Sequence, residues 1–170
     1  MQAGVVKVGK WGGDGGGGFD MGAATRLANI RIRHGAAVDA IQIMYEVDGK
    51  MKWSTQFGGN GGGLTEINLK DGEFLTSISG NYGSFGNITV IRSLSFTTNL
   101  NTTYGPYGEQ QGTYLLYSSA RGVVQLVSRV IETRFVLISM VKKISPINHY
   151  KQSQGLANKR SSDIAVGFNG

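Results

Sequence analysis

Glycine in this chain is concentrated in two dense blocks. The first block reads GGDGGGG over residues 12–18, and the second reads GGNGGG over residues 58–63. The 27 glycines among 170 residues are about twice the share found in an average protein. Because they cluster instead of recurring at every third position, the chain is not collagen-like. Such blocks favour loops that need positive φ, or places where a ligand approaches bare backbone.

Much of the sequence around these blocks alternates apolar and polar residues, which is the period of a half-buried β-strand. Clear examples are residues 28–33, 40–47 and 64–69. Asp48-Gly49 and Asp71-Gly72 supply turn signals beside such runs. Before residue 120, no run of a dozen residues has the helical period. The sequence therefore predicts an all-β protein built as a sandwich, barrel or prism.

Side chains that carry catalysis or bind metals are scarce in the sequence. Cysteine is absent, so neither disulfides nor thiolate metal sites can form. His34 and His149 are the two histidines, and neither belongs to an acid pair, a nucleophile elbow or a metal-binding pattern. The glycine blocks also lack the Lys-Ser/Thr of a phosphate-binding loop. We therefore expect no catalytic residue, no metal, no cofactor and no enzymatic activity.

Much of the net charge of +6 belongs to the C-terminal segment, where residues 142–160 contain five basic residues and no acidic residue. A solvated basic tail explains that excess, so nucleic acid is not an expected partner. Residues 1–10 contain no apolar core of a secretory signal. No stretch of about 18 apolar residues could insert into a membrane. These features predict a cytoplasmic or nucleocytoplasmic protein.

One turn and one loop carry the groups that a sugar-binding site needs. Sugar hydroxyls both donate and accept hydrogen bonds, so a site needs acceptors together with donors. The turn Gly35-Ala36-Ala37-Val38-Asp39 offers a carboxylate and backbone amides flanked by small side chains. A facing loop such as Gly58-Gly59-Asn60-Gly61-Gly62 would let a pyranose approach the main chain closely. Alternatively, Asp39 only caps a turn and the glycines only form hairpins.

A series of short segments along the chain has the order and content of a known family. The segments are VKVGKWGGDGG at 6–16, FDMG at 19–22, GAAVDAI at 35–41, FGGNGG at 57–62, ISG at 78–80, IRSLSFTTN at 91–99, YGPYG at 104–108 and GT at 112–113. The series resembles the jacalin-related lectins, which are plant agglutinins, over residues 5–122. The resemblance implies an all-β fold, a β-prism of three Greek-key sheets with pseudo-threefold symmetry. It implies a lectin domain at residues 1–122, followed by a divergent basic segment at 123–170.

The resemblance also implies a carbohydrate-binding function and the residues that perform it. Those residues are Gly35, Ala36, Ala37, Asp39, Gly58 and Gly59. Ala36, Ala37 and Gly59 would donate backbone N–H groups, and the Asp39 carboxylate would accept from two sugar hydroxyls. Residues 1–11 lead uncut into the first glycine block, which favours mannose- or glucose-containing glycans over galactose. Lectins of this kind commonly assemble, so we expect a homo-oligomer.

The principal site of that family is incomplete in this sequence. A first half-site is expected at Gly12 and Gly13, but the Gly-x-x-x-Asp turn that should face it near the C-terminus is missing. The chain instead reads RGVVQLVSR over residues 121–129. Either the tail supplies substitute strands, with 135–141 and 164–168 the expected ones, or the third sheet of the prism is incomplete or altered.

Two further expectations concern function and the remaining loop pair. The altered C-terminal segment motivates an alternative function, a non-catalytic β-prism module for protein interaction or assembly that has lost sugar affinity. A third loop pair, residues 83–87 with 105–108, has Asn in place of Asp and Pro in the facing segment. An amide is a weaker acceptor than a carboxylate and Pro removes a donor, so we expect that pair to be structural.

Overall fold

The structure is a computed structural model that describes residues 4–11, 17–20, 24–118, 124–131 and 135–144, with side chains between residues 24 and 118. Every regular element within these ranges is a β-strand, which confirms the predicted all-β class. None of these elements is a helix that is long and apolar enough to cross a membrane. The strands lie in one compact unit, Val5–Lys143, apart from the end residues Gly4 and Ile144.

The strands form three sheets whose described ladders are antiparallel. Their bounds are β1 Gly4–Trp11, β2 Gly17–Asp20, β3 Arg26–His34, β4 Val38–Val47, β5 Lys50–Trp53, β6 Phe57–Gly58, β7 Gly63–Asn68, β8 Leu75–Phe85, β9 Ile88–Thr98, β10 Thr103–Gly108, β11 Thr113–Ser118, β12 Val124–Ile131 and β13 Phe135–Ile144. The terminal sheet has the order β1-β13-β12-β2. The β4 sheet has the order β5-β4-β3-β7, with β6 also paired to β4, and the β9 sheet has the order β10-β9-β8-β11.

The core lies on the inward faces of the β4 and β9 sheets, where the alternating pattern places aliphatic side chains. Ile30 on β3 pairs with Ile43 on β4 and with Ile67 on β7, so three buried isoleucines form a row across the sheet. In the β9 sheet, Ile78 faces Phe96 and both are fully buried. Full burial of a side chain of this size stabilises the fold by about 1.5–3 kcal/mol. The alternation that predicted the strands therefore also builds the core.

The terminal sheet is assembled from both ends of the unit. Strands β12 and β13 pair with each other over eight residues, from Val124↔Lys142 to Ile131↔Phe135. Strand β12 also pairs with β2, and β13 lies beside β1. The tail thus supplies two strands to this sheet. This is the first of the two alternatives, in which the tail provides substitute strands. The predicted strand at 135–141 lies within β13, whereas residues 164–168 lie outside the described residues.

Strand β12 was not predicted from the sequence. Its segment, VQLVSRVI, is rich in β-branched residues, which suit the pleated surface of a sheet. It stands where the family pattern places a Gly-x-x-x-Asp turn, so that pattern did not predict a strand here. The domain boundary at residue 122 stays a prediction.

Candidate functional site

Two connections of the β4 sheet lie side by side. The binding turn, residues 35–39, leads from β3 into β4, and the glycine loop, residues 58–63, joins β6 to β7. Strand β6 pairs with β4 through Ala40↔Gly58, and β7 pairs with β3 through His34↔Gly63. Both ends of the glycine loop are therefore fixed to the two strands that the binding turn connects. The structure brings together the two segments that the sequence had suggested.

The approach at Gly58 is too close for any side chain. A Cβ added there would lie 2.1 Å from the Asp39 carbonyl oxygen, and the φ of Gly58 is +112°. The next amide, Gly59 N–H, donates to that same carbonyl oxygen at 3.0 Å. The single hydrogen of this amide is thus used by the protein itself. The role of Gly59 as a donor to a sugar stays a prediction, and a sugar would have to share this N–H with the Asp39 carbonyl oxygen.

The Asp39 carboxylate lies against the second half of the glycine loop. A Cβ added at Gly61 would lie 2.7 Å from Asp39 Oδ1, and one added at Gly62 would lie 2.6 Å from Oδ2. Gly62 also has a φ of +64°, which favours glycine. Gly61 and Gly62 belong to the facing loop that the sequence predicted, since the block GGNGGG continues through both of them. Their part in a sugar site stays a prediction.

The binding turn is tight, and its two alanines differ in burial. Gly35 N–H donates to the carbonyl oxygen of Ala37 at 2.9 Å. Ala36 is exposed at the tip of the turn, whereas Ala37 is buried and packs against Val90 of the β9 sheet. Asp39 is half-buried. The turn therefore presents a small, exposed tip beside a partly shielded carboxylate.

Two side chains hold the glycine loop from the outer face of the sheet. Gln56 Nε2 donates to the carbonyl oxygen of Gly59 and to Asn60 Oδ1, each at 2.9 Å. Arg33 Nη1 makes longer contacts of 3.4 Å with the carbonyl oxygens of Asn60 and Gly62. These contacts satisfy loop carbonyls that no strand ladder reaches. The loop therefore has a fixed path despite its glycine content.

His34 has a structural role beside the binding turn. Its Nε2 lies 2.8 Å from the Thr65 hydroxyl oxygen, and its ring packs at a tilt against Tyr107, with centroids 5.1 Å apart. Burial is the main cause that raises the pKa of Tyr107, and Tyr104 adds to the shift.

Between residues 24 and 118, where side chains are described, no group of three or more His, Cys, Asp or Glu residues could hold a metal ion.

The remaining predicted loops differ from the binding turn and the glycine loop. Gly12 and Gly13 lie outside the described residues. Residues 105–108 do not form a facing loop, because they belong to strand β10, where a register shift between Tyr104 and Tyr107 accommodates them. The segment that faces the β8–β9 hairpin is residues 109–112, since a Cβ on Gly83 would lie 3.2 Å from Gly112 Cα.

Arg92 fills the space between that hairpin and its facing segment. Its side chain is only 8% exposed, and Nη1 donates to the Ser84 carbonyl oxygen at 3.1 Å. Nη2 donates to Glu109 Oε2 at 2.8 Å and to Gln111 Oε1 at 2.9 Å. The guanidinium carbon lies 5.0 Å from the Phe85 ring centre. A cation bonded to both segments agrees with a structural role for this pair.

Comparison with known proteins gives the family. The model of the jacalin-like lectin domain matches residues 8–131. Jacalin-related lectin 19 of Arabidopsis thaliana is 41% identical over 118 residues, which cover 67% of this chain and 66% of that protein. Jacalin-related lectin 3 of the same plant is 38% identical over 137 residues, which cover 73% of this chain but 23% of that protein. The chain thus spans about two thirds of one curated relative and less than a quarter of the other.

A solved structure agrees with this match in both sequence and shape. A mannose-binding jacalin-related lectin from Ananas comosus has a TM-score of 0.75 and 37% identity, and the match covers 82% of this chain and 98% of that one. The fold of that lectin confirms the predicted β-prism. The family that this chain matches consists of non-enzymatic carbohydrate-binding proteins, as predicted. Together, the three antiparallel sheets and the match over residues 8–131 show that the chain belongs to the jacalin-like lectin family.

Proposed function

We propose that this lectin binds mannose- or glucose-type glycans at the binding turn and the glycine loop. The observation that carries the proposal is the close approach of the Asp39 carboxylate to Gly61 and Gly62, where an added Cβ would lie 2.7 Å and 2.6 Å from its two oxygens. A charged acceptor beside bare backbone meets the requirement of a sugar for strong acceptors next to main-chain groups. The exposed tip at Gly35 and Ala36 leaves room for a ring to approach.

The preference for mannose or glucose over galactose is supported by sequence and by likeness. Residues 1–11 run directly into the first glycine block in the sequence. In this family the galactose-selective members are cut near the start of the domain, whereas the uncut form is the mannose type. The Ananas comosus lectin, whose name states that it binds mannose, matches this chain over 82% of its length. We expect weak binding of a monosaccharide, in the millimolar range, because each hydroxyl bond largely replaces a bond to water.

The test is isothermal titration of methyl α-mannoside and methyl α-galactoside into the wild type and Asp39→Asn. Asparagine keeps the size of the side chain but removes the charge, so we expect mannoside affinity to fall at least tenfold (about 1.4 kcal/mol). Asp48→Asn is the matched control, because Asp48 lies in the turn after β4, about 30 Å from the binding turn along an extended strand. We expect this control to bind the mannoside as the wild type does.

Unchanged mannoside affinity in Asp39→Asn would contradict the proposed site and would point to the first glycine block. Binding of neither sugar by the folded wild type would instead favour the interaction or assembly module.

The homo-oligomer and the cytoplasmic location stay predictions. Light scattering after gel filtration tests the homo-oligomer, and a monomer at micromolar concentration would contradict it.

A further inference from the structure

A cavity of about 210 Å³ opens on the outer face of the β4 sheet, and two of the side chains that line it also contact the glycine loop. Arg31 and Arg33 of β3 line it together with Gln42 of β4, Gln56 and Leu64. Pockets for whole drug-sized ligands occupy about 300–1,000 Å³. This cavity is smaller, so it suits one substituent or a single small residue of a larger ligand.

The cavity and the proposed sugar site share a wall. Arg33 and Gln56, which line the cavity, are the two side chains that bond the carbonyl groups of the glycine loop. The opposite side of the same loop contacts the Asp39 carboxylate through Gly61 and Gly62. A glycan that extends from the Asp39 site over the loop would therefore meet this cavity next.

The charged side chains of this lining are both arginines, and their charges are compensated differently. Arg31 Nε bonds Glu66 Oε2 at 3.0 Å, and the Arg31 guanidinium carbon lies 4.1 Å from the Trp53 ring centre. The loop contacts of Arg33 are to carbonyl oxygens, which carry no net charge. Arg33 Nε is also buried without a partner in the part of the chain whose side chains are described.

An arginine in this condition favours an oxyanion. Guanidinium groups bind carboxylate, sulfate and phosphate through paired N–H donors, and such bonds are stronger than those to neutral acceptors. The Gln42 amide donates one N–H to the Ser54 carbonyl oxygen, and its second N–H can add a neutral donor at the same cavity. A neutral sugar hydroxyl would form a weaker hydrogen bond with the Arg33 guanidinium group than an oxyanion would.

We propose that the cavity is an anion subsite, and that the natural ligand is an acidic glycan. Its neutral mannose- or glucose-type residue would lie at Asp39, and the oxyanion of the neighbouring residue would bind Arg33. This inference rests on the proposed function and specifies the class of glycan. A carboxylate of a uronic acid and a sulfate ester are the two sources of the same oxyanion chemistry.

The experiment compares two disaccharides that differ at one carbon. One is glucuronic acid linked to mannose, and the other is glucose linked to mannose, so a carboxylate replaces a hydroxymethyl group. We expect the wild type to bind the acidic disaccharide about tenfold more tightly. We expect this ratio to shrink as sodium chloride is raised, because salt screens charge pairs. A third disaccharide carries glucose 6-sulfate in place of glucuronic acid. The ratio of its affinity to that of the neutral disaccharide shows which oxyanion is preferred.

Leu64 offers a variant that tests the cavity without touching the loop. Leu64 is 55% exposed and sits opposite Arg33 across the β3–β7 ladder. Leu64→Glu would place a carboxylate of the protein beside Arg33, whereas Leu64→Gln has nearly the same shape and no charge. We expect Leu64→Glu to reduce the ratio to about one and Leu64→Gln to preserve it.

The possible failures are distinguishable. If the wild type binds the neutral disaccharide but shows no preference for either acidic one, the anion subsite is overturned and the proposed function stands. A preference that survives Leu64→Glu also overturns the subsite. If no disaccharide binds the folded protein, the proposed function fails, and the acidic-glycan inference fails with it.

Discussion

Glu73 shows how a single buried charge is accommodated in this fold. The residue is only 2% exposed. Its carboxylate accepts a hydrogen bond from Lys70 N–H at 2.9 Å and another from the Tyr104 hydroxyl at 3.3 Å. The bond from the Lys70 backbone is the main cause that lowers the pKa of Glu73. Buried charges need partners of this kind, because an unpaired one would cost several kcal/mol.

The lowered pKa of Glu73 predicts a stability that depends on pH. The group is a stronger acid in the folded chain than in the unfolded chain, so its contribution is present above the unfolded pKa of about 4.3. That contribution is lost as the pH falls through the folded pKa. Thermal unfolding between pH 7 and pH 3 should show a midpoint that falls in acid. In Glu73→Gln this acid-dependent fall should be smaller.

Glu46→Gln on β4 is the control for removal of one carboxylate. We expect it to keep the acid-dependent fall of the wild type. An identical pH profile in the wild type and Glu73→Gln would contradict the assigned role of Glu73. At neutral pH, Glu73→Ala should lower the free energy of unfolding by about 1–3 kcal/mol, because Lys70 N–H loses its acceptor.

At the same scale, the sequence could indicate Asp39 but not the hydrogen bonds around it. A lone carboxylate in a turn of small residues is visible as a pattern, and the resemblance supplied its role. The N–H of Gly59 bonds the Asp39 carbonyl oxygen, which depends on the register between β6 and β4. Register is weakly specified by sequence in Gly-rich strands, and β6 consists of Phe57 and Gly58 alone. For the same reason, the contact of the carboxylate with Gly61 and Gly62 could not be predicted.

At the scale of elements, strands with one buried and one solvated face were readable from the sequence. Strand β4 alternates buried and partly exposed residues through Ile41 and Ile43, as its apolar–polar pattern predicted. Strand β10 was missed, because TYGPYG contains two glycines and a proline, which ordinarily signal a turn. It is a strand at the edge of its sheet, where proline is tolerated since it need not donate.

The glycine loop gives a matched pair of substitutions at this scale. Gly62 has positive φ and its added Cβ would lie 2.6 Å from both Asp39 Oδ2 and the His34 carbonyl oxygen. At Gly63 the nearest atom would be 3.9 Å away. We expect Gly62→Ala to abolish mannoside binding and to cost about 1–2 kcal/mol through left-handed backbone strain alone.

Gly63→Ala should retain both mannoside affinity and the thermal midpoint of the wild type within a few degrees. Titration calorimetry and thermal unfolding monitored by circular dichroism provide the two measurements. Equal mannoside affinity in the two variants would show that the glycine loop is not part of the sugar site.

At the scale of the molecule, the terminal sheet joins distant parts of the chain. Strands β12 and β13 occupy its two central positions, and β1 and β2 form its edges. The closing strands were expected only as one of two alternatives, because the tail departs from the family pattern after residue 122. Which of the two holds depends on long-range pairing, and alternation alone does not define it.

Truncation after residue 123 tests the importance of that sheet. It would remove β12, which pairs with β2, and β13, which lies beside β1. We expect the truncated chain to lose cooperative thermal unfolding and to bind a dye for exposed apolar surface. A chain that ends after residue 144 keeps both strands and should unfold cooperatively. Cooperative unfolding of the shorter chain would contradict a structural need for β12 and β13.

The bond from Gly59 to the Asp39 carbonyl oxygen fastens the glycine loop to the binding turn, and the contacts from Arg33 and Gln56 hold the same loop to β3 and to the segment before β6. A loop that is mobile before a ligand arrives must lose conformational entropy in every binding event. Here that entropy is lost once, when the chain folds. A sugar at the proposed site would therefore meet a preset surface, and less of the small enthalpy of a few hydroxyl bonds would be offset by ordering of the loop.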